Sequence, residues 1–197
     1  TYYCVMVMQR ALKGEKDTSA GDSLVNMANA LRRKGDYTQG IKELKRALKI
    51  YRESLGDSHE KVAITVDAIA SLYVTLGDFE KSAAILEEVV KLKAATMGMK
   101  SDAVAVTLIS LATTYECSEE FDKAMKSLKK AYKIYTEIEG YSSEKSTSTL
   151  NLIAQLYEAM SDHNRASIAY LGVLRGCKIN LGKDHLRVGE MYYKLGR

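Results

Sequence analysis

The chain has 197 residues, 46% hydrophobic and 27% charged, with a net charge of +4, no proline and no tryptophan. So much apolar material excludes a disordered chain, and the small positive excess permits an acidic partner without requiring nucleic acid or an anionic membrane. No apolar run approaches the ~18 residues of a membrane span, and Tyr2 to Met8 lacks the charged start and cleavage site of a signal peptide. Abundant Ala, Leu, Lys and Glu with isolated glycines favour helix over strand. Cys4, Cys117 and Cys177 are odd in number and form no C-x-x-C pair. They read as free thiols in a reducing compartment, which implies a cytoplasmic location.

Gly14, Gly56, Gly98, Gly140 and Gly182 recur every 42 residues, and the register divides the chain. Residues 1–14 read as the end of a second helix, followed by whole units at 15–56, 57–98, 99–140 and 141–182 and a first helix from 183–197. In the first unit Asp36 and Gln39 have the spacing of a capping box. In the second, Val62, Val66, Ile69, Ala70, Tyr73 and Leu76 recur at the spacing of one helix face. Gly77-Asp78 breaks that helix, and Phe79, Ala83, Leu86, Val89, Val90 and Leu92 form the stripe of its partner. The third unit repeats the pattern with Leu108, Leu111, Ala112 and Tyr115, then Phe121. The fourth departs from it: Ser161 stands at the turn glycine, His163 at the aromatic, and Gly172 and Gly176 lie inside the second helix. Those glycines predict faster amide exchange over 163–181 than over 79–97, unless they let a neighbouring helix approach closely. The 42-residue glycines suit left-handed C-caps. The alanine column Ala28, Ala70, Ala112 and Ala154 permits close helix pairing, and the Tyr and Leu columns fill the space between units.

These residues resemble the tetratricopeptide signature, apolar-x2-Leu-Gly/Ala-x2-Tyr followed by Ala-x3-Phe. Val66-x2-Ile69-Ala70-x2-Tyr73 and Leu108-x2-Leu111-Ala112-x2-Tyr115 match its first half, and Ala124-x3-Leu128 and Ala166-x3-Tyr170 its second. The closing proline of the signature is missing, consistent with a period longer than the usual ~34 residues. The 42-residue spacing and the junctions Leu55-Gly56-Asp57-Ser58-His59 and Leu181-Gly182-Lys183-Asp184-His185 resemble kinesin light chain repeats. The resemblance implies an all-α, right-handed superhelical solenoid of antiparallel helix pairs, a single array of stacked units. It also implies a concave groove lined by the first helices. By register that groove holds Asn26, Asn29 and Arg33, then Asp67, Ser71 and Thr75, then Ile109, Thr113 and Glu116, then Asn151, Gln155 and Glu158. Carboxamides suit such a lining because each both donates to and accepts from a peptide backbone. The doubled asparagine of kinesin light chains is here Val25-Asn26, Asp67-Ala68, Ile109-Ser110 and Asn151-Leu152.

Two basic rows share the outer, convex slots of second helices: Lys42, Lys45 and Lys49 with Arg52, and Lys126, Lys129 and Lys133. They read as a solvated face, with an acidic docking surface as the second reading. His59 and His185 hold one repeated slot, which points to a structural task such as capping. No H-E-x-x-H, G-x-S-x-G or phosphate-binding glycine loop occurs, so neither an enzyme, a metal site nor a cofactor is expected. The expected function is a protein-interaction scaffold that binds a peptide or partner protein in the groove, in the manner of a kinesin-light-chain-like adaptor segment. The alternatives are a structural spacer or oligomerisation module, self-associating end to end through uncapped terminal repeats, and a regulatory sensor domain of a larger enzyme or ATPase.

Overall fold

The computed structural model describes residues 18–57 and 59–196. The expectations for the partial repeat 1–14, Cys4, Gly14 and Ser58 lie outside the described residues. Among the described residues the architecture is all-α. Nine helices follow in chain order: α1 Thr18–Lys34, α2 Tyr37–Leu55, α3 Glu60–Thr75, α4 Phe79–Met97, α5 Asp102–Cys117, α6 Phe121–Glu139, α7 Glu144–Ala159, α8 His163–Leu181 and α9 Leu186–Leu195. They fall into two compact units, one ending at Thr96 and the other beginning at Met97. None of these helices is long and apolar enough to cross a membrane.

Helix starts are set locally. Asp36 caps α2, its carboxylate accepting from the Gln39 amide at 3.2 Å. The capping box is only half made, because the Asp36 amide instead donates to the Leu31 carbonyl at 3.0 Å. His59 and His185 cap α3 and α9: each Nδ1 accepts from the backbone amide two residues on, Lys61 at 3.1 Å and Arg187 at 3.2 Å. The repeated histidine slot is thus a capping slot, an imidazole serving in place of the usual Ser, Thr, Asp or Asn.

The glycines that end the second helices correct one expectation. Gly56, Gly140 and Gly182 have φ of 82°, 90° and 85°, but ψ of 161° to 165°. The helix therefore exits into an extended left-handed conformation rather than an αL cap, a region essentially closed to side-chain-bearing residues. At the other turn Gly35, Gly77, Glu119 and Ser161 share one slot, all with positive φ. Glu119 and Ser161, both at 61°, hold the αL conformation without being glycine.

In the first unit the core is built in two patches. Ala20, Leu24, Ala47, Ile50, Tyr51 and Val62 join α1, α2 and α3, while Ala28, Ile41, Leu44, Ile69, Leu72 and Tyr73 continue it. Ile85 packs α4 onto the second patch. In the second unit Val104, Leu108, Leu111, Ala124, Leu128 and Tyr135 bury the α5–α6 pair, and Ile153, Leu156, Tyr170, Val173 and Val188 bury α7, α8 and α9. Buried threonines satisfy themselves by donating to the carbonyl one turn back, as Thr65 does to Lys61, Thr107 to Ala103 and Thr149 to Lys145.

The two glycines inside α8 are places of close approach. A Cβ at Gly176 would lie 2.3 Å from Thr147 Oγ1, and one at Gly172 would lie 2.7 Å from Leu150 Cδ2. Side chains of α7 rest directly on the α8 backbone, which supports the packing explanation for these residues.

Candidate functional site

The second helices α2 and α6 each carry a tyrosine that plugs the space between their own first helix and the next. In the first unit that residue is Tyr51, only 2% exposed. Its hydroxyl donates to Asp22 Oδ1 at 2.6 Å, and Lys61 Nζ donates to both Asp22 oxygens while standing 5.4 Å from the ring centre. In the third repeat Tyr135 holds the same slot beneath Lys145, which bonds Asp102 at 2.6 Å and Glu139 at 2.9 Å. Burial, and after it the neighbouring carboxylates, raises the pKa of both phenols above its usual value. Lys93 takes the slot on α4. Its burial lowers the ammonium pKa, and the Asp67 carboxylate works against that effect. Asp67, expected as a groove residue, therefore faces a buried cation of its own unit.

On α8 the slot holds Cys177, and its neighbour in the isoleucine column is Gly176. The bulky plug is thus replaced by a small side chain, and a cavity of about 370 Å³ opens beside Cys177 between α7, α8 and α9, while Thr147 takes the space over Gly176. Thr147, Ser148, Asn151 and Gln155 of α7 line it with Cys177 of α8 and with Arg187, Glu190 and Lys194 of α9. Arg187 occupies the slot of Lys61 and Lys145, now without a tyrosine ring beneath it. The Cys177 thiol is 5% exposed, and burial pushes its pKa up, so it contributes bulk rather than a reactive thiolate.

Two polar atoms of this cavity lack internal partners. Thr147 is 7% exposed, and its Oγ1 has no hydrogen-bond partner, unlike the threonines that bond back to their own helix. Asn151 Oδ1 is also buried without a partner. Leaving such groups unmatched costs roughly 1–3 kcal/mol each. An N–H donor entering the cavity would recover part of that. Beside it, Tyr170 donates to Glu158 Oε2 at 2.6 Å and accepts from Lys194 Nζ at 3.1 Å, tying the end of α7 to α8 and α9.

Of the sequence-predicted groove residues, the structure brings Asn151 and Gln155 into this cavity, with Glu158 at the adjoining rim. Asn26, Asn29 and Arg33 are exposed on α1. Ser71 and Thr75 are exposed on α3, where the Thr75 hydroxyl donates to the Ser71 carbonyl at 2.9 Å. Thr113 and Glu116 are exposed on α5, and Thr113 donates to the Ile109 carbonyl at 3.2 Å. Sequence reasoning missed Thr147, Cys177, Arg187 and Lys194. The signal was present in the column Tyr51, Lys93, Tyr135, Cys177, where size collapses at its last member. The lysines of both rows are exposed on α2 and α6. Lys45 reaches Tyr73 at 2.8 Å, while Lys49 and Lys133 stand 3.9 and 4.0 Å from Glu53 and Glu137.

Paired helices repeating at 42 residues, with repeated caps and a repeated plug, define a helical-repeat protein of the tetratricopeptide type. Residues 19–95 match the family model described as Tetratricopeptide repeat. No curated protein matches the sequence. The fold is similar to that of BtubC (BKLC) from P. vanneervenii, with a TM-score of 0.74 and 21% identity over 91% of this chain and 71% of that one. It is also similar to a Podosopora anserina protein described as a kinesin light chain with nearly identical TPR-like repeats, at a TM-score of 0.73 and 18% identity over 92% and 86% of the two chains. The apo form of RapI is a further fold neighbour, with a TM-score of 0.71 and 14% identity over 90% of this chain and 62% of that one. The chain is a tetratricopeptide-type array whose fold is like that of kinesin light chain repeats.

Proposed function

We propose that the chain is a protein-interaction scaffold that holds a peptide or partner protein against its first helices, with the α7–α9 cavity as its principal grip. Tetratricopeptide repeats mediate protein–protein interaction and are in general scaffolds rather than enzymes. The observation that carries the finer reading is the pair of buried, unmatched polar atoms, Thr147 Oγ1 and Asn151 Oδ1, in a cavity that Gln155 also lines. A peptide backbone offers the N–H donors these atoms lack, and Gln155 can both donate and accept. The 42-residue period and the Leu-Gly-x-x-His junctions support an adaptor segment of the kinesin-light-chain kind.

The test is a partner recovered by affinity capture and then titrated against two variants. Asn151→Ala with Gln155→Ala removes two hydrogen bonds of about 0.5–1.5 kcal/mol each, so binding should weaken by roughly 1–3 kcal/mol. Lys126→Gln, Lys129→Gln and Lys133→Gln should change it little at physiological salt, where exposed charges are screened beyond ~8 Å. Loss in the lysine variant with unchanged binding in the α7 variant would move the site to the outer face.

A further inference from the structure

The outward face of α8 departs from its counterparts in a second way. Slots that hold Lys42 and Lys45 on α2, and Lys126 and Lys129 on α6, hold Ile168 and Leu171 on α8. One turn beyond Arg175, Ile179 stands where α2 and α6 carry Glu53 and Glu137. These side chains are not core residues: Ile168 is 69% exposed, Leu171 55% and Ile179 62%. The core of α8 is made by its opposite face, through Ala166, Ala169, Tyr170, Val173 and Cys177. The residues at 168, 171, 175 and 179 follow the i, i+3, i+7, i+11 course of one helix face, about three turns long. A stripe of large apolar side chains in solvent, in slots that α2 and α6 fill with charge and α4 with Ala84, Glu87 and Ala95, is unlike a scatter of single exposed residues and marks an interaction surface.

The charge around the stripe identifies what it would hold. From His163 to Leu181, α8 has Arg165, Arg175 and Lys178 and not one carboxylate. Arg165 is paired with the capping Asp162 just before the helix, which leaves Arg175 and Lys178 as the cations beside the stripe. On α6, the second helix of the preceding repeat and in the same compact unit, the stretch from Lys123 to Lys133 holds Lys126, Lys129 and Lys130 as well, again with no carboxylate. Its exposed row occupies the same register slots as the stripe, and in a repeat the same slot faces the same side. An apolar strip bordered by cations fits an amphipathic helix whose apolar face is flanked by Asp and Glu. It disfavours a second copy, which would set this basic surface against itself. We infer that the outer face of α8, with the lysine row of α6, is a docking surface for an acidic amphipathic helix of a partner protein, separate from the α7–α9 cavity.

The experiment uses the full chain and a fluorescein-labelled 18-residue peptide with leucines at helical i, i+3, i+4, i+7 spacing and glutamates elsewhere. Its counterpart with lysine in place of every glutamate is the charge control. Anisotropy titrations should show binding of the glutamate peptide that weakens as salt rises, and no binding of the lysine peptide. Ile168→Ser with Leu171→Ser should lower the affinity at least tenfold. Lys126→Gln, Lys129→Gln and Lys133→Gln should lower it several-fold and flatten the salt dependence. Tyr141→Ser, at a side chain 76% exposed outside the stripe, should leave it unchanged. All substituted side chains are exposed, and circular dichroism verifies that each variant keeps its helix content. No binding of the glutamate peptide, or equal binding by the Ile168→Ser/Leu171→Ser variant, would overturn the inference. So would sedimentation showing self-association that this variant abolishes, because the stripe would then belong to a second copy.

Discussion

Replacing Gly176 with alanine sets two effects of opposite sign against each other. Inside a helix the exchange gains about 0.8–1.0 kcal/mol, because glycine loses more backbone freedom on folding. The new methyl, however, would lie 2.3 Å from Thr147 Oγ1, 3.0 Å from its Cγ2 and 3.2 Å from its Cβ. Rotating Thr147 exchanges one of these clashes for another and leaves the Cβ contact in place, so α7 and α8 must separate. Overpacking of this kind costs about 1–3 kcal/mol, and the net expectation is a loss of up to about 2 kcal/mol. Gly189 in α9 supplies an internal reference, since a Cβ there meets nothing within 4 Å. Gly189→Ala should therefore show the propensity gain alone. Thr147→Ala in the Gly176→Ala background removes the two nearest clashing atoms and should recover most of the loss, a coupling that a double-mutant cycle reads directly. Urea denaturation followed at 222 nm gives the stabilities, and amide exchange over residues 163–181 shows whether the change is confined to α8. If Gly176→Ala stabilises as much as Gly189→Ala, the close approach of α7 to α8 is refuted. The glycines would then be weak points in the helix instead.

Two further predictions concern backbone strain and titration. Ser161→Gly and Glu119→Gly should each stabilise by about 0.5–1 kcal/mol, since the αL conformation costs a side-chain-bearing residue about 1–2 kcal/mol and glycine's own flexibility offsets part of the relief. Gly77→Ser should do the reverse, and unchanged melting temperatures across all three would remove strain from the account. Tyr51 and Tyr170 are held neutral by burial and by the bonds they donate to Asp22 and Glu158, so the folded pKa of each stands above its unfolded value. Their stabilising contribution is therefore complete below about pH 10. It is lost as pH rises above that value toward the folded pKa, at up to about 1.4 kcal/mol per pH unit for each tyrosine. Denaturation midpoints should fall through this alkaline window, and Tyr51→Phe with Tyr170→Phe should flatten the fall.

Much of this protein is written in one-dimensional periodicity. The 42-residue glycine spacing, the apolar faces around Ala70 and Ala112 and the breaks at Gly77 and Ser161 are local signals, and they place the helix pairs without any tertiary information. The histidine caps belong to the same class, because His59 and His185 act on an amide only two residues away. Exposure of the lysine rows also follows from register, since a slot opposite the apolar stripe must face water. Tertiary contact decided the rest. Whether Gly172 and Gly176 weaken α8 or seat α7 depends on where Leu150 and Thr147 lie, and those residues are more than twenty positions away in sequence. Periodicity could not show that Asp67 faces Lys93 rather than an open groove, because that requires a second helix. Nor could it show that Asn151, alone among the candidate carboxamides, keeps a buried and unmatched oxygen. The cavity at Cys177 is the clearest case: the shrinking side chain is legible in the column, but the space it leaves exists only because α7, α8 and α9 converge on that point. A repeating sequence dictates what each unit has in common, through local spacing. The differences between units become a site only where packing brings several of them to one place.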